Sequence, residues 1–256
     1  MAFFNYKGHL CYYNEIGNGR PLILLHGNTA SSKMFDGVIS LFSDRYKVVL
    51  IDFLGHGKSD RLDEFPTDLW FDEAMQVIEL IKERKYEHVS LIGTSGGALV
   101  AINATLEAPE LIENVIADSF EGEVPLKKFT ENVIEEREAS KQDKNAIMFY
   151  QWMQGEDWES VVDNDTKAIY DHNRAIGRFF HKPLEDFLPN ILMTGSKEDE
   201  FISCIDKCFF EKTYGNMLKK IGHGSKYLFD KGGHPAMLSN SEKFAETAKQ
   251  FLEGIR

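Results

Sequence analysis

The chain has 256 residues, 43% of them hydrophobic, and a formal net charge of −12. That length accommodates one large domain or two small ones, with enough apolar side chains for a substantial core. The acidic balance argues against nucleic acid or an anionic membrane surface as partner, and no apolar run is long enough to cross a bilayer.

Taken in chain order, Met1 to Gly8 has no basic start followed by an apolar core, so no secretory leader is expected. Phe3 to Tyr6 and His9 to Ile16 form the pattern of a hairpin turning at Lys7-Gly8. Pro21 to Leu25 is fully apolar, the mark of a strand buried on both faces, and it ends at His26-Gly27-Asn28. The spacing predicts a helix over 32–42 and a second buried strand over 46–52, which runs into the glycine-rich stretch Asp52 to Ser59. Thr67 is placed to cap a helix whose apolar residues Phe71, Ala74, Val77, Ile78 and Ile81 recur with helical period. Lys82, Arg84 and Lys85 suit the negative end of that helix.

His88 to Ile92 is a further short, largely apolar strand, and Ala98 to Ala104 is a good helix former. Between them stands Gly93-Thr94-Ser95-Gly96-Gly97. Val115 to Ala117 is the next strand, ahead of Asp118-Ser119. From about Glu121 to Pro183 the buried strands cease. The segment is acidic, helical in pattern and rich in large side chains such as Phe149, Tyr150, Trp152, Met153 and Trp158. Alternation resumes with a strand over Ile191 to Thr194, a helix near 204–214 and a strand over Lys226 to Phe229. The last helix has Ser239 and Glu242 as a capping box and Phe244, Ala248, Phe251 and Leu252 as its apolar stripe. The whole reads as an α/β fold, a mostly parallel sheet with a helical insertion after the sixth strand.

G-x-S-x-G at a strand-to-helix handover is a mechanical device. It holds the serine in strained backbone geometry with its hydroxyl in the open, and it requires side-chain-free neighbours two residues away on either side. Gly93 and Gly97 meet that need, and the N–H of Gly96 opens a helix, where it points at developing negative charge. A serine needs a base, and the base needs an orienting acid. Chemistry in an open parallel sheet sits at the carboxyl ends of the strands. There the chain offers Asp199 after one late strand and His234 after the next, giving the order serine, acid, histidine. Glu198 and Glu200 flank Asp199, and Asp118 stands at the end of an earlier strand as an alternative acid. The second oxyanion donor is expected from the backbone N–H of Asn28, with Gly27 permitting close approach. His26 and His56 are read as structural, and Gly55-His56-Gly57 as a tight turn behind the site.

With these residues placed, the chain resembles a single-domain α/β-hydrolase with a helical cap, over nearly its whole length. The resemblance rests on His26-Gly27-Asn28, the Asp52 to Ser59 turn, the elbow at Ser95, Gly195 with Asp199, and Gly233-His234. It implies an eight-stranded, mostly parallel sheet flanked by helices. Residues 1–120 and 186–256 would form the core, with residues 121–185 folding over the site as a lid. The His-Gly-Asn start is similar to that of haloalkane dehalogenases, but their nucleophile, like that of the epoxide hydrolases, is an aspartate. Ser95 directs the chemistry to acyl transfer instead. Many relatives carry methionine or glutamine where this chain has Gly96, so extra room beside the nucleophile is expected.

These features imply hydrolysis of a small carboxylic ester, with thioesters and lactones as near neighbours. Carbon–carbon bond hydrolysis by the same residues, or ligand binding without catalysis, are the competing readings. The expected partner is a small-molecule substrate. No metal or organic cofactor is required, and a homodimer is left open. The chain has three cysteines, Cys11, Cys204 and Cys208, with no framework spacing. They suggest reduced thiols and a cytoplasmic setting, and Cys204 and Cys208 are read as core or surface residues rather than metal ligands.

Overall fold

The computed structural model describes residues 2–203 and 206–254. Its centre is an eight-stranded sheet in the order β1-β2-β4-β3-β5-β6-β7-β8. The strands are β1 (Ala2–Tyr6), β2 (His9–Ile16), β3 (Arg20–Leu25), β4 (Tyr46–Ile51), β5 (Val89–Thr94), β6 (Ile112–Asp118), β7 (Asn190–Ser196) and β8 (Ser225–Phe229). β1, β2 and β4 pair antiparallel, and every pairing from β4 through β8 is parallel.

Side-chain alternation divides the core in two. Leu22, Leu24, Val48, Leu50, Ile92 and Ile116 point to one face, where Phe35, Phe42, Met237 and Phe244 cover them. Ile23, Leu25, Val49, Leu91 and Val115 point to the other and meet α1 (Leu69–Arg84), α2 (Gly96–Glu107) and α7 (Phe209–Ile221). All six residues of β5 are buried, which suits a central strand covered on both sides. Each large apolar side chain so buried contributes about 1.5–3 kcal/mol.

Between β6 and β7 the chain leaves the sheet and forms α3 (Lys127–Glu131), α4 (Val133–Ser140), α5 (Lys144–Gln154) and α6 (Trp158–Ala175). The carboxylate of Asp143 starts α5 by accepting from the N–H groups of Asn145 and Ala146, each at 2.9 Å. α6 buries Val161, Val162, Ala168 and Ile169, and the same face carries Asp165 and His172. The chain ends in α8 (Ala236–Ser239) and α9 (Ser241–Leu252).

Four local expectations fail, the first two because a tertiary contact wins. The helix expected over 32–42 is two 3₁₀ turns, Ser32–Phe35 and Ile39–Leu41. Its start is held by Asp52, whose Oδ1 accepts from Ser32 N at 2.7 Å. Asp68, not Thr67, occupies the cap position of α1, and its carboxylate caps nothing because it binds His181 at 2.6 Å. The capping box of the last helix is absent: Asn240 precedes α9, and Ser239 Oγ instead donates to Gly233 O at 2.7 Å. The helix expected near 204–214 is observed from Phe209 to Ile221, and Cys204 lies outside the described residues.

Candidate active site

Ser95 sits between β5 and α2 with φ 55° and ψ −125°, a conformation that costs a non-glycine residue of order 1–3 kcal/mol. Its N–H donates to Asp118 O at 2.8 Å, and its carbonyl accepts from Ala98 N at 2.9 Å, so neighbouring backbone holds the strain. The glycines are obligatory. A Cβ on Gly93 would lie 2.1 Å from Gly97 O, and one on Gly97 would lie 2.2 Å from Leu25 O.

Asp199 and His234 come together across the ends of β7 and β8. His234 Nδ1 lies 2.8 Å from Asp199 Oδ2. Asp199 is buried, and its other oxygen accepts from the N–H groups of Phe201 at 3.0 Å and Ile202 at 2.9 Å. Paired this way, Nδ1 carries the proton and Nε2 is free to accept one. Among the described residues the ring's hydrogen bonds end at Asp199 and none reaches Ser95, although both Ser95 and His234 line one cavity. Such bonds are often loose without substrate and tighten in the reactive complex.

The alternative acid is otherwise engaged. The Asp118 carboxylate accepts from Thr194 Oγ1 at 2.8 Å, Ser119 Oγ at 3.2 Å and Met237 N at 2.9 Å. Ser119 Oγ in turn accepts from Ala236 N at 2.9 Å, so this pair clamps the loop that follows His234. Burial raises the Asp118 carboxyl to about 6.

The loop after β3 approaches the nucleophile closely: a Cβ on Gly27 would stand 3.0 Å from Ser95 Cβ. The N–H of Asn28 carries no hydrogen bond among the described residues, whereas that of Thr29 is taken by Asp165 Oδ2 at 3.2 Å. Gly96 is the first residue of α2, where an N–H lacks an intrahelical partner. The extra room expected beside Gly96 does not exist. A Cβ there would meet Asn28 Oδ1 at 2.2 Å and Trp70 Nε1 at 2.9 Å, because the Asn28 side chain folds into that space.

Asn28 is held there from both ends. Its Oδ1 accepts from Trp70 Nε1 at 3.2 Å, and its Nδ2 donates to Asp165 Oδ2 at 2.9 Å. Asp165 comes from α6, is fully buried, and also lies 3.4 Å from Arg137 Nη2 and 3.8 Å from His56 Nε2. Burial alone would raise its carboxyl, but His56, the Arg137 charge and the Asn28 amide outweigh burial and hold it below the ordinary aspartate value. Gln154 of α5 adds a second grip. Its Nε2 donates to Thr29 O at 2.9 Å and Ala30 O at 2.8 Å, and its Oε1 accepts from Gly57 N at 2.7 Å.

His26 and His56 lie beneath this loop. His26 Nε2 accepts from Phe53 N at 3.2 Å, and burial together with the neighbouring His56 lowers its pKa to about 4. It is therefore neutral and structural. The turn at Gly57 closes on Asp52, whose Oδ2 accepts from Lys58 N at 2.8 Å.

The cavity above Ser95 has a volume of about 480 Å³, with apolar walls that include Leu99, Phe129, Val133 and Phe149. Of the five large side chains singled out in the insertion by sequence, Phe149 and Tyr150 line it. Trp158 instead stacks on Tyr150 with ring centres 5.6 Å apart, Met153 O accepts from Ser31 Oγ at 2.9 Å, and Trp152 is half exposed. Glu121 also lines the cavity, and burial raises its carboxyl to about 7.

A strained serine on a β5–α2 elbow, at the carboxyl edge of an eight-stranded sheet, is the architecture of the α/β-hydrolases. The chain belongs to that family: the model of the alpha/beta hydrolase fold matches residues 20–187. Among curated proteins it is 35% identical over 100 residues to a pimeloyl-[acyl-carrier protein] methyl ester esterase of Nitrosomonas europaea, covering 39% of this chain and 37% of that one. It is 31% identical over 107 residues to a 2-(acetamidomethylene)succinate hydrolase of Mesorhizobium japonicum, covering 41% and 37%. The matched stretch thus spans little more than a third of each relative. Among solved structures, an esterase from Exiguobacterium antarcticum superposes with a TM-score of 0.74 at 22% identity, covering 96% of both chains. A serine hydrolase involved in carbazole degradation gives 0.75 at 24%, covering 98% of both. These two likenesses establish the shared fold.

Proposed function

We propose that this chain is a serine hydrolase that cleaves a small carboxylic ester through an acyl-enzyme on Ser95. The observation that carries the reading is the buried Asp199 bonded at 2.8 Å to a histidine that shares a cavity with the elbow serine. His234 Nε2 takes the proton as Ser95 Oγ attacks the carbonyl carbon. The N–H groups of Asn28 and Gly96 receive the resulting oxyanion, a contribution of about 10²–10³-fold per donor. The tetrahedral adduct collapses, the proton passes from His234 to the departing alcohol, and the acyl group stays on Ser95. Water repeats the sequence with His234 as base and releases the acid. Thioesters and lactones follow the same path.

In this reading residues 1–120 and 186–256 are the core that holds the reactive groups, and residues 121–185 are a cap that shapes the pocket. The cysteines support a cytoplasmic setting: Cys11 is buried and Cys208 exposed, and both are free thiols. A fluorophosphonate probe tests the proposal. Covalent labelling of the wild type, abolished in Ser95→Ala, is the expected result, accompanied by turnover within a series of p-nitrophenyl esters of increasing acyl length. A wild type that the probe leaves unlabelled at neutral pH would overturn it.

A further inference from the structure

The cavity has one cationic wall that the proposed ester chemistry does not use. Arg137, on α4, lines it with a side chain only 14% exposed. Its Nη2 leans on Asp165 at 3.4 Å, while its buried Nη1 has no hydrogen-bond partner among the described residues. Asp165 gives its Oδ2 to Asn28 and Thr29, and its Oδ1, which faces Nη2, makes no hydrogen bond among the described residues. A buried donor left without an acceptor costs about 1–3 kcal/mol, a penalty that a ligand acceptor would relieve.

The surroundings define that ligand. Ser140, one turn along α4, donates to Arg137 O at 2.7 Å and lies 3.0 Å from the hydroxyl of Tyr150, and both residues line the cavity. Arg137 is thus beside two hydroxyl-bearing residues in a mainly apolar cavity whose lining also includes the acidic residues Glu121 and Glu136. Asp165 links it through Asn28 to the space beside Gly96 and the nucleophile. A guanidinium steadied on one side by a carboxylate, with its Nη1 unpaired among the described residues, offers the planar fork that carboxylates bind. Low polarity around it strengthens the attraction. Glu121 in the same cavity opposes an anion less than its formal charge implies, since burial brings its carboxyl to about 7.

We propose that Arg137 anchors a free carboxylate of the substrate, so that the preferred substrates are esters carrying a second, unesterified acid group. This rests on the serine-hydrolase reading of the cavity, and binding separates the two. The Ser95→Ala protein is titrated with monomethyl esters of straight-chain dicarboxylic acids and with methyl esters of monocarboxylic acids of equal length. The half-esters should bind about 10- to 100-fold tighter. Arg137→Gln in the same background should erase that preference, and Arg137→Lys, which keeps the charge but loses the fork, should restore part of it. Equal binding of both series, or a preference that survives Arg137→Gln, would overturn the anchor. Arg137-dependent binding by a chain whose wild type neither labels nor turns over would retain the anchor and remove the hydrolase.

Discussion

The Asp165 carboxylate accepts a hydrogen bond from the Asn28 side chain at 2.9 Å across 137 residues of sequence. It also accepts from the N–H of Thr29, so a helix of the insertion fixes the loop expected to supply an oxyanion donor. Thr29 itself has φ 56°, a left-handed conformation that the loop holds under this restraint. Asp165→Ala should lower kcat by about 10²-fold with KM little changed, the signature of a misplaced transition-state donor. It also leaves Arg137 without its buried counter-charge, so stability should fall by about 3–5 kcal/mol. Asp165→Asn keeps an acceptor for Asn28 and should recover much of kcat. Steady-state kinetics and thermal melts of both variants read the difference.

Asp199 and Asp118 both stand at strand ends near His234, yet only Asp199 bonds its ring. Asp199→Asn should lower kcat by about 10³- to 10⁴-fold, because the imidazole loses its correct tautomer and the partner for its charged form. Asp118 is committed to Thr194, Ser119 and Met237, so it should give no rescue. Activity of Asp199→Asn within tenfold of wild type would assign the acid elsewhere.

Gly96→Ala tests the filled space beside the nucleophile. The new methyl would overlap Asn28 Oδ1 and Trp70 Nε1, and neither is free to move without breaking its own bond. A loss of about 1–3 kcal/mol in stability is expected. Trp70 fluorescence should shift as its ring is displaced. A variant with wild-type melting and emission would mean that Asn28 yields freely.

Glu121→Gln separates charge from shape, because the amide oxygen can still accept from Leu126 N, as Oε2 does at 2.8 Å. The folded-state value of about 7 lies above the ordinary 4.5, so the folded chain holds this proton more tightly than the unfolded one. The contribution to stability is fully present below about pH 4.5 and is lost as pH rises through about 7. At pH 8 the Gln variant should therefore be more stable than wild type by about 1–3 kcal/mol, and near pH 4 the two should match. Denaturant titrations across that range give the difference directly.

The succession of strands along the chain and the candidate residues Ser95, Asp199 and His234 were legible in local pattern, whereas the order of strands within the sheet rests on non-local pairing. The apolar run Leu22 to Leu25, the glycines around Ser95 and the chain order of Ser95, Asp199 and His234 each signal through neighbours or succession. Two of the failures share a cause. Ser32 N–H and the Asp68 carboxylate are drawn to partners far along the chain, and no local propensity anticipates that. Arg137, Gln154 and Asp165 belong to no motif. Asp165 did leave one trace: an acidic residue on the apolar stripe of a helix, beside Val161, Val162, Ala168 and Ile169, must have a partner from elsewhere.

Gln154, Met153 and Asp165 hold residues 28–31 from above. Under the proposed chemistry, altering what is accepted and altering how fast it reacts are the same intervention. Transplanting the segment between β6 and β7 from a relative would import new selectivity and, in one stroke, withdraw the supports of the reactive loop. Variation that retunes preference while sparing turnover is better sought at positions such as Phe129 and Phe149, which line the cavity and make none of these hydrogen bonds to residues 28–31.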